Sequence, residues 1–188
     1  MLAVLLILVT LQNLVAAQKS SPSTISVPNG DRRGTWGPME VCDKGTLVRG
    51  FQLKVEPEQG PLDDTALCGI KLVCTYPGSK DVVKYITSSV GEFGDWGPII
   101  WCSSGYFTRF SLKVESAGTD DDTAVNEIKF GDTNNDEIKG EGGPWGKYGP
   151  YSNECSAGIV GMRVKLQESR GLFHDDVGVT DVECKCLV

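Results

Sequence analysis

The residues with most chemical potential are carboxylates that recur in pairs. Asp63-Asp64-Thr65-Ala66, Asp121-Asp122-Thr123-Ala124 and Asp175-Asp176-Val177-Gly178 set two acids side by side at three points of the chain. Neighbouring carboxylates can share glycoside chemistry, one as acid and the other as base or nucleophile. Adjacent residues of an extended chain point to opposite faces, however, so the members of one pair do not converge on one substrate atom. Asp-Asp-Thr also suits a turn whose side chains accept backbone N–H groups where the chain enters a strand. Three similar occurrences fit architecture better than one active centre. Tryptophan offers a second chemistry, because indole can stack flat on a sugar ring. Trp36, Trp96 and Trp145 each precede glycine, and the repeated Trp-Gly reads as a core ring filling space that the glycine opens. Trp101 has no aromatic counterpart, since Val41 and Glu154 precede the matching cysteines, which makes it the better surface ring. The candidate carbohydrate contacts are therefore Trp101, Asp64, Asp122 and Asp176.

Other constellations are weaker. The single histidine, His174, lies beside Asp175, but no Gly-x-Ser-x-Gly context supports a hydrolytic triad. Asp132-Thr133-Asn134-Asn135-Asp136-Glu137 has alternating oxygen ligands like a calcium loop. Glu137 stands where an EF-hand requires glycine, however, and the twelfth position is Gly143, so the segment reads as a solvated hairpin turn. One histidine excludes a multi-histidine metal site, and no glycine-rich phosphate loop is present. No catalytic residue, metal ligand or cofactor site is assigned, and the balance is against an enzyme.

The elements that carry these residues repeat three times. Trp36-Gly37-Pro38, Trp96-Gly97-Pro98 and Trp145-Gly146 open three segments, followed by Cys42, Cys102 and Cys155. An alternating stretch comes next: Phe51-Gln52-Leu53-Lys54-Val55-Glu56, Phe110-Ser111-Leu112-Lys113-Val114-Glu115, and Met162-Arg163-Val164-Lys165-Leu166-Gln167. The Asp pairs follow, and the copies close with Ile70-Lys71-Leu72-Val73-Cys74, Ile128-Lys129-Phe130-Gly131-Asp132 and Val182-Glu183-Cys184-Lys185-Cys186. Apolar alternation with period two predicts strands with one buried face, so Phe51, Leu53 and Val55 face a core while Gln52, Lys54 and Glu56 face water. Frequent glycine and proline break the chain into short strands, which predicts an all-β fold. Three four-stranded sheets can bury their apolar faces around a pseudo-threefold axis. A propeller needs at least four blades, so a prism is favoured.

The chain has 188 residues and a formal charge of −7, with no Lys/Arg cluster, which argues against nucleic acid or an anionic membrane as partner. Residues 1–17 are uncharged and apolar and end in Val15-Ala16-Ala17, the small-residue pattern of a signal-peptide cleavage site. That run is too short to cross about 30 Å of hydrocarbon as a helix. Residues 18–24 read as a flexible lead-in, and 25–188 as one domain of three repeats, about 25–85, 86–139 and 140–188. Secretion favours disulfides among the seven cysteines. Seven is odd, so at least one thiol stays outside any intramolecular bridge.

The Trp-Gly openings, the Leu-Lys-Val-Glu strand and the Asp-Asp-Thr-Ala…Ile…Cys ending closely resemble the vitelline membrane outer layer protein I family, from about Ile25 to Cys186. The resemblance implies a β-prism of three Greek-key sheets, secretion, and a structural place in the coat around the egg yolk. It also implies relatives in other secreted fluids and a weak oligosaccharide-transferring activity, with no catalytic residue to carry over. On the family pattern copy one keeps the pair Cys42 and Cys74, and copy three keeps Cys155 and Cys186. Copy two has Asp132 where the partner of Cys102 belongs, and Val160 and Leu187 stand where a further pair is expected. Cys68, which replaces the Asn126 of copy two, and Cys184 are additions. The pairing of Cys68, Cys102 and Cys184 stays open, with a third bridge and one leftover thiol as the expectation. Other secreted coat or matrix proteins, and glycans, are the partners implied. The alternative is a lectin-like secreted protein, with the transfer activity attached.

Overall fold

The structure is a computed structural model, which describes residues 23–56, 67–115, 125–168 and 178–188. The expected signal segment, most of the lead-in, the three Asp pairs (Asp64, Asp122 and Asp176 among them) and His174 lie outside the described residues. The first part of the chain supplies β1 (Thr24–Ser26), β2 (Thr35–Trp36), β3 (Glu40–Val41), β4 (Leu47–Val55), β5 (Leu67–Thr75) and β6 (Val82–Ile86). The second supplies β7 (Asp95–Trp96), β8 (Ile100–Trp101), β9 (Phe107–Val114), β10 (Val125–Asp132) and β11 (Glu137–Lys139). The third supplies β12 (Lys147–Tyr148), β13 (Ile159–Leu166) and β14 (Val179–Cys186). The described residues contain no helix.

These strands form three curled antiparallel sheets around a pseudo-threefold axis, a β-prism. The first has the order β6-β5-β4-β7 with β8 also on β4; the second is β11-β10-β9-β12; the third is β1-β14-β13-β2 with β3 also on β13. Sheets and sequence repeats are out of phase. Each Trp-Gly or equivalent opening strand pairs with the long strand of the preceding copy: β7 with β4, β12 with β9, and β2 with β13. The third sheet thus joins the two ends of the domain, with β1 on β14 as a second tie. A repeat that lends its first strand to its neighbour has an incomplete sheet by itself, so the three copies share one core.

That core follows from the alternation. Phe51, Leu53, Phe110, Leu112, Met162 and Val164 are buried, as are Ile70, Leu72, Ile128, Phe130, Val182 and Cys184 on the facing strands. Phe107 stacks on Phe130 with centroids 4.8 Å apart, and Phe51 lies 5.0 Å from the same ring. The third sheet contributes smaller groups, so the aromatic mass lies between the first two sheets.

The lysine of each Leu-Lys-Val or Val-Lys-Leu strand does more than face water. Lys54 Nζ donates to the carbonyls of Gly91 and Glu92 at 2.8 and 2.7 Å, Lys113 to Gly143 and Pro144 at 3.0 and 2.9 Å, and Lys165 to Asp31 and Arg32 at 3.0 and 2.8 Å. Each ammonium satisfies the loop that leads into an opening strand. That loop ends at Gly34, Gly94 or Gly146, all at positive φ (90°, 78° and 80°), where a Cβ would collide with the carbonyl of Leu166, Val55 or Val114.

The tryptophans depart from the sequence reading. Trp36 and Trp96 are half-buried on the outer faces of their sheets rather than in the core, because their strands pair beside outward-pointing lysines. Arg163 lies 4.6 Å over Trp36, and Lys71 lies 4.0 Å over Trp96. In the third copy the matching ring is Tyr148, not Trp145: Tyr148 pairs with Lys113 as Trp96 pairs with Lys54 and Trp36 with Lys165. Tyr-Gly-Pro, not Trp-Gly, is the landmark there.

Two disulfides occur, Cys42–Cys74 with Cα atoms 5.7 Å apart and Cys155–Cys186 at 5.2 Å. Cys68, Cys102 and Cys184 are buried thiols. Thr133–Asp136, read above as a solvated turn, is the β10–β11 connection, with Asn135 at φ 66°.

Candidate functional site

Residues paired directly across a sheet share a face, so register alone maps the outer surface of each sheet. On the first sheet, Tyr85 pairs with Val73, Val73 with Gly50, and Gly50 with Trp101, which makes one outward row; Gly50 and Val73 are buried within it, and Tyr85 and part of Trp101 reach the surface. Glycine makes the row possible. A Cβ on Gly50 would lie 3.0 Å from Trp101 Cε3, so the ring rests on bare backbone. Along the strands from this row lie Lys71 paired with Gln52, and then Lys54 paired with Trp96. Lys71 Nζ sits 4.0 Å from the Trp96 ring centroid and 5.6 Å from that of Tyr85, and Lys80 Nζ is 5.7 Å from Trp101.

The flank of this face is apolar. Apart from Leu187 and Val188 at the C-terminus, the exposed large hydrophobic residues among those described all fall between Tyr76 and Phe93. Tyr76 is 54% exposed and Tyr85 47%, with Val82, Val83, Val90 and Phe93 beside them in sequence. Tyrosine and valine on and around an outer strand make a contact surface when several gather on one sheet.

The corresponding rows elsewhere are different. On the third sheet the row reads Val41, Gly161, Lys185. On the second, Arg109 faces Gly131 and takes Glu154 at 3.4 Å. Cations beneath the rings there carry carboxylates: Lys129 with Glu137 at 3.1 Å and Arg163 with Glu183 at 2.6 Å. The hydrogen bond from Lys129 holds the Glu137 carboxyl below the usual glutamate range. Burial and the nearby Glu127 push the Tyr148 hydroxyl upward, so it stays protonated.

Of the residues marked from sequence, Trp101 stands in the outward row, while Asp64, Asp122 and Asp176 are among the residues not described. Sequence reading missed Tyr85, Lys71 and Tyr76. The available signal was the alternation Val83-Lys84-Tyr85 after the Pro77-Gly78 turn, a strand that lies on one edge of the first sheet. The arrangement can stack and desolvate. Among the described residues no cluster of His, Cys, Asp and Glu could hold a metal ion.

Comparison with solved structures gives the fold a wider context. The Calsepa lectin, solved with a bisected glycan, superposes with a TM-score of 0.58 at 14% identity, covering 90% of this chain and all of that one. A second structure, the Calystegia sepium agglutinin, gives 0.54 at 15%, covering 88% and 97%. Both likenesses concern the fold. At the level of sequence, the vitelline membrane outer layer protein 1 homologs of Mus musculus and Homo sapiens are each 39% identical over 167 residues. They cover 87% of this chain and 83% and 82% of their own lengths. The model of the vitelline membrane outer layer protein I family matches residues 23–187. The chain belongs to the vitelline membrane outer layer protein I family.

Proposed function

We propose that this secreted family member is a structural component of an extracellular coat, and that the outer face of its first sheet contacts the other coat macromolecules. The observation that carries the reading is the Tyr85–Val73–Gly50–Trp101 row, apolar and aromatic where the same row of the second sheet is charged. Such a face associates by removing rings from water, and rigid aromatic anchors supply most of the energy in contacts of this kind. Nothing in this role requires turnover.

Sedimentation with an isolated egg-coat outer layer tests it. The Trp101→Ala, Tyr85→Ala double variant should bind about tenfold more weakly than wild type, whereas Arg163→Ala on the third sheet should bind normally. Equal binding of all three proteins would remove the first sheet from the interface. Glycans are the second reading, favoured by the same rings and by the lectin-like fold, and by fold analogy alone beyond that. On a glycan array that reading expects binding that falls with Trp101→Ala.

A further inference from the structure

The three sheets meet along three seams built on one plan. At each, the glycine of an opening segment donates its N–H to a core residue of the long strand: Gly37 to Val164 at 2.9 Å, Gly97 to Leu53 at 2.9 Å, and Gly149 to Leu112 at 3.0 Å. Beyond the hydrogen-bonded pair the opening strand leaves a notch. In two seams a side chain from the neighbouring sheet's last segment fills it. Ser88, held at φ 58°, donates to Pro38 O at 2.8 Å and accepts the Val164 N–H at 3.0 Å. Asn29 donates its Nδ2 to Leu112 O at 3.0 Å. A Cβ on Gly37 would meet the Ser89 and Ser88 hydroxyls at 2.2 and 2.6 Å, and one on Gly149 would meet Asn29 Nδ2 at 2.4 Å.

The third notch is open. A Cβ on Gly97 would have only Leu53 O within 4 Å, at 3.7 Å. A cavity of about 210 Å³ lies there, walled by Leu53, Val55, Pro98 and Ile100. Asp95, Lys139 and Glu141 also border it. Chain position explains the vacancy. Asn29 stands five residues before Gly34 and Ser88 six before Gly94; the residues five and six before Gly146 are Glu141 and Gly140, and Gly140 has no side chain. A carboxylate brings no donor to the Leu53 carbonyl and loses hydration among apolar walls. Glu141 accordingly stays exposed.

We propose that this notch binds a side-chain carboxamide, an Asn or Gln presented by an extended segment of another polypeptide. The Gly97 N–H occupies one acceptor position of the Leu53 carbonyl, as the Gly149 N–H does on Leu112. The second position, which Asn29 takes on Leu112, is where the incoming amide donates. The apolar walls cover the methylene carbons of the side chain. A neutral amide also enters at lower desolvation cost than an ammonium or a carboxylate. This site faces the seam between the first and second sheets and is independent of the aromatic row.

The probes are acetamide and the capped hexapeptide spanning Ser26–Asp31, which contains the Asn that fills the sister notch. Both are titrated into the ¹⁵N-labelled mature protein. Saturable shifts at Gly97, Leu53 and Ile100 are expected from each. A peptide with Asp in place of its Asn should bind at least about tenfold more weakly. Glu141→Asn should plug the notch from within and abolish the response, and Gly97→Val should do the same by bulk. Absence of saturable shifts at these residues would overturn the proposal. So would equal binding of the Asn and Asp peptides, an unchanged response in Glu141→Asn, or displacement of the peptide by N-acetylglucosamine at lower concentration than acetamide.

Discussion

Copies one and three close with a covalent bond where copy two closes with a hydrogen bond. Cys42–Cys74 and Cys155–Cys186 join the segment after an opening strand to the end of a closing strand. At the same place in copy two, Cys102 Sγ lies 3.5 Å from Asp132 Oδ2 and donates to Ser104 O at 2.8 Å. Asp132 also accepts from Ser103 Oγ at 3.0 Å, Asn134 N–H at 2.8 Å and Asp136 N–H at 3.0 Å. The fold therefore needs a tether here but not a particular bond. A disulfide acts on the unfolded chain by limiting its freedom and does not respond to moderate pH. The Asp132 network exists only in the folded state and depends on a negative charge. Burial, with Asp132 adding to it, pushes the Cys102 thiol up to about 11, so it stays protonated and unreactive at neutral pH.

Cutting a staple should have the largest effect. With the partners 32 and 31 positions apart in sequence, Cys42→Ser/Cys74→Ser or Cys155→Ser/Cys186→Ser should each cost about 3.5–4 kcal/mol in denaturant unfolding. Equality between the two pairs would show that they act as symmetric tethers. A cost below ~1 kcal/mol for either would show that its copy is held by packing alone.

Removing the polar tether should cost less. Asp132→Ala strips an acceptor from two backbone N–H groups and a hydroxyl, for a loss of about 2–3 kcal/mol. Asp132→Cys should let Cys102 form a third bridge, visible by peptide mapping without reduction, and recover the stability lost in the alanine variant. Failure of that bridge to form would mean that the two tethers do not occupy equivalent geometry.

Acid titration should separate the copies further. Burial raises the Asp132 carboxyl, but hydrogen bonds from Asn134, Asp136, Ser103 and Cys102 outweigh it, and the folded value lies below the ordinary one. Its stabilisation is complete above the unfolded value near 3.8 and is lost as pH falls through the folded value. Asp181 in copy three behaves in the opposite way. Burial lifts it to about 6, so the folded state binds a proton more tightly and stability declines as pH rises from about 4 to 6. Asp181→Asn should flatten the slope between pH 4 and 6, and Asp132→Asn the slope below about 4. Slopes that survive both changes would assign the acid response elsewhere.

The smallest effects belong to a device that the copies share. Lys54→Met, Lys113→Met and Lys165→Met each remove a cap on two carbonyls and should cost roughly 1 kcal/mol apiece in thermal melts. A clearly larger cost in copy two would mean that its loop leans on the lysine in place of the missing staple.

Much of this molecule was legible in one dimension, because period-two alternation and repeated landmarks are local. Phe51, Leu53, Phe110, Leu112, Met162 and Val164 face the core as the pattern requires. The tryptophans were misread since the alternation places a residue on a face only relative to its own strand. Whether an opening ring lies over the core or over Lys71 depends on which strand it joins. The displaced landmark in copy three has a similar origin. Trp145-Gly146 matches by composition, while backbone pairing selects Tyr148.

The residues by themselves determined the all-β class, the threefold repetition, the buried face of each long strand and the turn positions, because these follow from side-chain type and spacing along the chain. Tertiary structure alone decided that each copy lends its first strand to its neighbour, that among the described residues only the first sheet sets a tryptophan on bare glycine in its outer row, and that one seam of three is open. Those features are set by contacts between residues distant in sequence. Asn29 closes a notch more than eighty residues away at Leu112, and Glu141 leaves its counterpart unfilled because a carboxylate finds no donor on that backbone and loses its water on entering.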